Sequence, residues 1–206
     1  RAERKGIPRG IDVVTISRES GSRGTALAEQ LAQELGFDLF HREVIGEMAE
    51  SAKISARIVE TLDEKGLSVL EDSIAAMIRD RHLWPDQFLK HLMKVIGTIG
   101  KHGRAVIVGR GAQFILPVSE NLRVRVIAPM LKRIRNVAEE LKISDAEAQK
   151  MILRTDADRR SFSRKYFYAD VSDPIHYDLV INTDRMDLDT AVKTIVAALN
   201  QMNAAS

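Results

Sequence analysis

Five short apolar runs, separated by longer amphipathic stretches, organise this chain. Ile11-Asp12-Val13-Val14-Thr15-Ile16 is rich in β-branched residues and reads as a buried strand of the kind found in parallel sheets. From Thr25 to Leu35 the apolar residues Ala26, Leu27, Leu31 and Leu35 recur at helical spacing, and Gly36 ends the helix. Phe37 to Phe40 is a second strand, Ala105 to Val108 a third, Leu122 to Ala128 a fourth and Asp178 to Ile181 a fifth. Residues 42–100 read as helical throughout. Their periodic sets are Val44, Ile45 and Met48; then Ile58, Val59 and Leu62; then Leu70, Ile74, Met77 and Ile78; then Leu89, Leu92, Val95, Ile96 and Ile99. Gly66 and Pro85 mark the expected breaks. A helix follows Leu131, and Ser144-Asp145-Ala146-Glu147 is a capping box opening another. Asp187 or Asp189 caps the last helix, whose apolar face is Leu188, Val192, Ile195, Val196 and Leu199.

Strands alternating with helices predict an α/β fold: a parallel sheet with helices on both faces, and a helical insertion between the second and third strands. The 206 residues suffice for one large domain. Residues 1–10, polar and punctuated by Gly and Pro, read as a tail. The chain starts at Arg1 rather than Met, so a fragment or processed form is expected. With 45% hydrophobic and 29% charged residues the composition is that of an ordinary globular protein, which excludes wholesale disorder. No apolar run approaches the roughly 18 residues of a membrane span. Cysteine is absent, which removes disulfides and thiol chemistry and fits a reducing compartment; the cytoplasm is the expected location. Net charge is only +2, yet Arg123 to Lys165 holds 12 Lys and Arg against 6 Asp and Glu.

Candidate chemistry gathers where strands end. The segment Ser17-Arg18-Glu19-Ser20-Gly21-Ser22-Arg23-Gly24-Thr25 joins a buried strand to a helix, and small residues there let backbone N–H groups close on an anion. It fails the pattern G-x-x-x-x-G-K-[ST] as written. Gly109-Arg110-Gly111 follows the third strand and His41-Arg42-Glu43 the second; ligands of open parallel sheets sit beyond those ends. Arg42 is a candidate for an acceptor phosphate, and His41 reads as a surface or capping residue. Asp156, Arg160 and Arg164 lie at i, i+4 and i+8 on one helical face. They form either a solvated ion-pair face or a guanidinium clamp for phosphates. The five His residues form no metal-binding pair, and no G-x-S-x-G or dinucleotide fingerprint occurs.

In order, these pieces resemble the cytidylate kinase-like branch of the nucleoside monophosphate kinases. The matching stretches are VVTISRESGSRGTALAEQLAQELGFDLFHREVI, AVIVGRGAQFIL, LRVRVIAP, DADRR and YDLVIN, which span most of residues 12–183. The resemblance implies a P-loop NTPase fold with strand order 2-3-1-4-5. Within one domain, residues 11–206, it implies an acceptor-site insertion at 42–103 and an Arg-rich lid at 144–170. It also makes the degenerate S-R-E loop a shared feature of the branch. Ser20, Gly21, Ser22, Gly24 and Thr25 would then hold donor phosphates, with Thr25 nearest Mg²⁺ and Arg23 at the place of the P-loop lysine. Arg110 matches the Arg of a G-R-D motif that contacts the acceptor phosphate, while Gly111 replaces its Asp. Asp158 and Arg159 match an Asp-Arg pair of the lid region.

The implied activity is ATP- and Mg²⁺-dependent phosphorylation of CMP or dCMP, with Arg23, Arg110 and Arg159 spreading the transition-state charge, Arg42, Asp158, Arg160 and Arg164 binding the acceptor, and Arg160 or Arg164 a further candidate for the charge. Two other readings stay open. One is a non-catalytic nucleotide-binding regulatory module, supported by Arg23 and Gly111. The other is nucleic-acid binding through the basic 123–165 segment, which has little aromatic support beyond Phe162, Tyr166, Phe167 and Tyr168. Small nucleotides are the expected partners; no membrane is expected, and self-association is left open.

Overall fold

The computed structural model describes residues 10–205, so all of the expected tail except Gly10 lies outside the described residues. Strand β1 (Val13–Arg18) is followed by α1 (Gly24–Leu35), β2 (Asp38–Phe40), α2 (Arg42–Glu50), α3 (Ala52–Val59), α4 (Glu64–Asp80) and α5 (Gln87–His102). Then come β3 (Ala105–Val108), α6 (Ala112–Ile115), β4 (Leu122–Ile127), α7 (Met130–Leu141), α8 (Asp145–Phe167), β5 (Leu179–Asn182) and α9 (Leu188–Ala204). The strands form one parallel sheet in the order β2-β3-β1-β4-β5, as expected.

Alternation along the central strands sorts side chains onto two cores. Val14, Ile16, Val106, Val108, Val124 and Val126 face Leu27 and Leu31 of α1 and Val192 and Ile195 of α9. Val13, Ala105 and Ile107 face the other way, against Ile45 of α2 and Leu92, Val95 and Ile96 of α5. A third, small core of Ile134, Val137, Ala148 and Ile152 joins α7 to α8, away from the sheet.

The capping box forms as expected: the Ser144 hydroxyl accepts from the Glu147 N–H, and the Glu147 carboxylate accepts from the Ser144 N–H. Asp187, not Asp189, caps α9 by accepting from the Thr190 N–H.

Three boundaries differ from the sequence reading. Gly66 is not a break; it lies in the first turn of α4, where its N–H donates to the capping carboxylate of Asp63 at 2.7 Å. An additional break falls at Ser51, whose hydroxyl caps α3. Strand β1 runs on to Arg18 rather than stopping at Ile16. The six-residue β4 is long enough to pair Ser17 with Arg125 and Arg18 with Val126, so the partner strand extends it. That extension moves Arg18 out of the turn and into the sheet.

Candidate functional site

At the carboxyl edge of the sheet lies a cavity of about 320 Å³. Six guanidinium groups line it: Arg18 from the end of β1, Arg42 from the start of α2, Arg110 after β3, Arg125 from β4, and Arg159 and Arg160 from α8. The carboxylates on its wall are Glu19, Asp156 and Asp158, and Phe162 supplies an aromatic surface.

Backbone geometry and glycines clear the way for the long side chains. Gly109, Arg110 and Gly111 all have positive φ, 78°, 53° and 70°. For Arg110 this is a left-handed conformation that an L side chain adopts at a cost, of the sort concentrated at functional sites. The twist lets its Nε donate to the Arg42 carbonyl at 3.0 Å and lays its guanidinium against Gly46 of α2, between Phe88 and Phe162. A Cβ at Gly46 would collide with that guanidinium. A Cβ at Gly111 would collide with the ring of Phe167. The place where the G-R-D motif carries an acid is therefore filled by a phenyl ring.

Several of these cations are poorly paired. Arg159 donates to the Arg18 carbonyl at 2.9 Å and lies 3.7 Å from Asp156. Arg125 donates to the Ser17 hydroxyl at 2.8 Å, with Tyr177 beneath it. The Nε atoms of Arg18 and Arg159 are buried without a hydrogen-bond partner among the described residues. Burial, then the nearby charges of Arg159 and Arg42, push the Arg18 guanidinium down to about 9. Burial also lowers Arg110, with Arg42 adding to it, and lowers Arg159, where Asp156 opposes the shift. Crowded, partly buried like charges are an arrangement that an anionic ligand would stabilise.

The turn beside the cavity is built differently. Its carbonyls are tied down: Arg133 donates to the Ser20 carbonyl at 3.2 Å, Asn136 to that of Gly21 at 2.8 Å, and Thr183 to that of Ser22 at 2.8 Å. Asp156 of α8 accepts from the Ser20 N–H at 2.9 Å and from Arg133 at 2.5 Å. Gly21 sits at φ 79°, and a Cβ there would lie 2.6 Å from the Arg133 carbonyl oxygen. No side chain caps α1, so its first amides donate no hydrogen bond to the side chain of the residue before the helix.

These positions revise the site expected from sequence. Arg23 is the residue before α1, exposed, in a left-handed conformation (φ 62°), and it is not on the cavity wall. Counting back from Thr25, the pattern G-x-x-x-x-G-K-[ST] puts Arg23 at its second glycine and Gly24 at its lysine. The helix start agrees with that register, not with Arg23 as the lysine. Ser20, Gly21, Ser22, Gly24 and Thr25 form the turn and first residues of α1 as expected, next to the cavity rather than on its wall. Arg42, Arg110, Asp158, Arg159 and Arg160 do converge. Arg164 does not: it is exposed, 3.7 Å from Asp170. The cavity side of α8 carries Asp156, Arg159 and Arg160, so of the i, i+4, i+8 series only Arg164 is turned away.

Arg18 and Arg125 were not singled out from sequence, although charged residues late in buried parallel strands are themselves a signal. The basic 123–165 segment spends much of its charge internally. Arg123 pairs with Asp178, Arg133 with Asp156 and Glu19, and Arg125 and Arg159 turn to the cavity.

A parallel sheet of order 2-3-1-4-5, with a strand-turn-helix beside converging arginines, defines the P-loop kinase fold class. More narrowly, the chain belongs to the cytidylate kinase-like family, whose model matches residues 13–185. It is 25% identical to a cytidylate kinase of Thermococcus kodakarensis, over 96% of this chain and 92% of that one. It is 26% identical to a cytidylate kinase of Methanocella arvoryzae, over 94% and 99%. A crystal structure of an uncharacterized protein from Eubacterium ventriosum shares the fold, with a TM-score of 0.69 at 20% identity over 91% of this chain and 98% of that one.

Proposed function

We propose that the protein is an ATP-dependent nucleoside monophosphate kinase with CMP or dCMP as acceptor. The donor triphosphate lies over the 20–25 turn and the N-terminus of α1, and the acceptor phosphate lies in the arginine cavity. The carrying observation is the convergence of six guanidiniums from five separate segments on one cavity beside that turn. An oxygen of the acceptor phosphate attacks the γ-phosphorus as the bond to the β–γ bridging oxygen breaks, giving the nucleoside diphosphate and ADP. The attacking oxygen is already anionic, so no general base is needed, and catalysis is positioning and charge neutralisation. Arg110 and Arg159 spread the developing charge, Arg42 and Arg160 hold the acceptor, and Phe162 offers a face for its base.

The donor set fits Mg²⁺ that arrives with the nucleotide. Residues 10–205 contain no cluster of three His, Asp or Glu side chains able to cage a metal, and Thr25 presents an exposed hydroxyl on the first turn of α1. Mg²⁺ commonly takes one or two protein ligands together with phosphate oxygens and water. When bound, it neutralises donor phosphate charge.

No helix among the described residues is long and apolar enough to cross a membrane. A cytoplasmic location goes with a nucleotide substrate. The test is conversion of CMP, dCMP, UMP, AMP and GMP with ATP and MgCl₂, followed by separation of products. CDP and ADP in equal amounts from CMP are expected. No turnover of any monophosphate, with enzyme near substrate concentration, would overturn the reading in favour of a non-catalytic nucleotide-binding module.

A further inference from the structure

The P-loop pattern takes its phosphate-directed cation from a lysine at the start of the helix, and this chain has Gly24 there. The reason is visible in the packing. A Cβ at Gly24 would lie 2.5 Å from Cβ and 3.1 Å from Cγ of Arg18, and 3.2 Å from Cβ of Val126. The stem of Arg18 occupies the space through which a side chain at position 24 would leave the backbone. Its guanidinium then reaches the end of β3, where a Cβ at Gly109 would lie 2.6 Å from its Nη1. Two glycines, one on each side, thus make the channel that carries this side chain into the cavity. Arg18 is 9% exposed, its Nε has no partner among the described residues, and it lines the cavity.

By the same count, Arg18 stands where the pattern has its first glycine. Arginine stands at the place of the pattern's glycine at the end of β1, and glycine at the place of its lysine at the start of α1, at two positions in direct contact. We propose that the two departures compensate each other, and that Arg18 is a catalytic residue: its guanidinium supplies, from the last residue of β1, the positive charge facing the transferring phosphoryl group that P-loop kinases take from the lysine. This rests on the kinase reading above.

Guanidinium keeps the charge and adds a planar fork able to bind two oxygens of one phosphoryl group. The depression of its proton affinity by burial and by Arg159 and Arg42 accords with a cation held ready for an anion.

The experiment compares wild type with Arg18→Met, Arg18→Gly and the double variant Arg18→Gly/Gly24→Lys, which restores the ordinary pattern at both places. Arg18→Met is expected to melt no lower than wild type, because it removes a poorly paired buried charge. Its kcat should fall about 10²–10³-fold, with acceptor KM changed less than about threefold. The double variant should recover at least about tenfold in kcat over Arg18→Gly alone. An unchanged kcat in Arg18→Met, a loss confined to acceptor KM, or a double variant no faster than Arg18→Gly would overturn the proposal.

If wild type itself turns over no monophosphate, the kinase reading has failed, and the compensation is judged by binding. The melting-temperature gain given by Mg²⁺ and ADP should vanish in Arg18→Met and return in the double variant. A gain unaffected by Arg18→Met, or no return in the double variant, overturns it.

Discussion

Two neighbouring stretches of one sheet edge handle charge in opposite ways. In the turn at residues 19–23, the acidic groups and the carbonyls are held by partners, although Nε of Arg133, like those of Arg18 and Arg159, is buried without a hydrogen bond among the described residues. Glu19 accepts from the Ala128 N–H and lies 3.5 Å from Arg133, and Asp156 bridges Arg133 and the Ser20 amide. In the cavity a few ångströms of chain away, the buried Arg18 and the half-buried Arg110 and Arg159 crowd one another, and Nε of Arg18 and of Arg159 has no hydrogen-bond partner among the described residues. A structural site minimises uncompensated charge, whereas a site for an anion leaves the compensation to the ligand. The turn is therefore read as preformed framework and the cavity as the place where binding energy is held for substrate.

The strongest way to break that contrast is Arg110→Met. It should lower kcat/KM for CMP by about 10²–10³-fold, a loss typical of a removed transition-state donor. Its midpoint of urea unfolding should stay near that of wild type, since the side chain is crowded by Arg42 as well as bonded to its carbonyl. Parallel losses of stability and activity would mean that the cavity, like the turn, is structural.

The opposite behaviour is expected of Asp156→Asn. It removes a carboxylate that serves a backbone amide and a buried guanidinium together. Unfolding in urea should show a loss of about 1.5–3 kcal/mol, the range for hydrogen bonds to charged groups. An unchanged midpoint would show that the turn does not depend on α8.

A smaller effect sharpens the same point. Arg18 is pushed down to about 9, so the folded protein favours its neutral form above that pH, while a bound anion favours the charged form. The melting-temperature gain from sulfate, which does not titrate in this range, should be largest below pH 9 and shrink as pH rises through it. A gain that stays flat up to about pH 10 would remove Arg18 from the anion's surroundings.

Much of the architecture was legible along the chain. Runs such as Ala105 to Val108 and Leu122 to Ile127 can be little else than buried strands, and the Ser144–Glu147 box announces its helix directly. The site was legible only in part. Arg42 and Arg110 follow strands immediately, so the sheet-edge rule reaches them. Arg18 escaped because its place in β1 depends on how far β4 runs beside it, a non-local fact. Periodicity gives the faces of α8 without saying which one turns inward, so it reaches the exposed Arg164 as readily as a cavity residue, and only the family resemblance points to Arg159. That orientation is set by the small α7–α8 core and by the bridge from Asp156 to the turn.

Gly111 and Phe167 interlock, one residue having no side chain where the other places its ring. An acid at position 111 and a phenylalanine at 167 exclude each other in this packing. The ring must shrink before the acid can enter, and the acid must leave before the ring can grow. Attempts to graft an acid into position 111 of this scaffold have to begin at position 167, in contact with it in space and 56 residues along the chain.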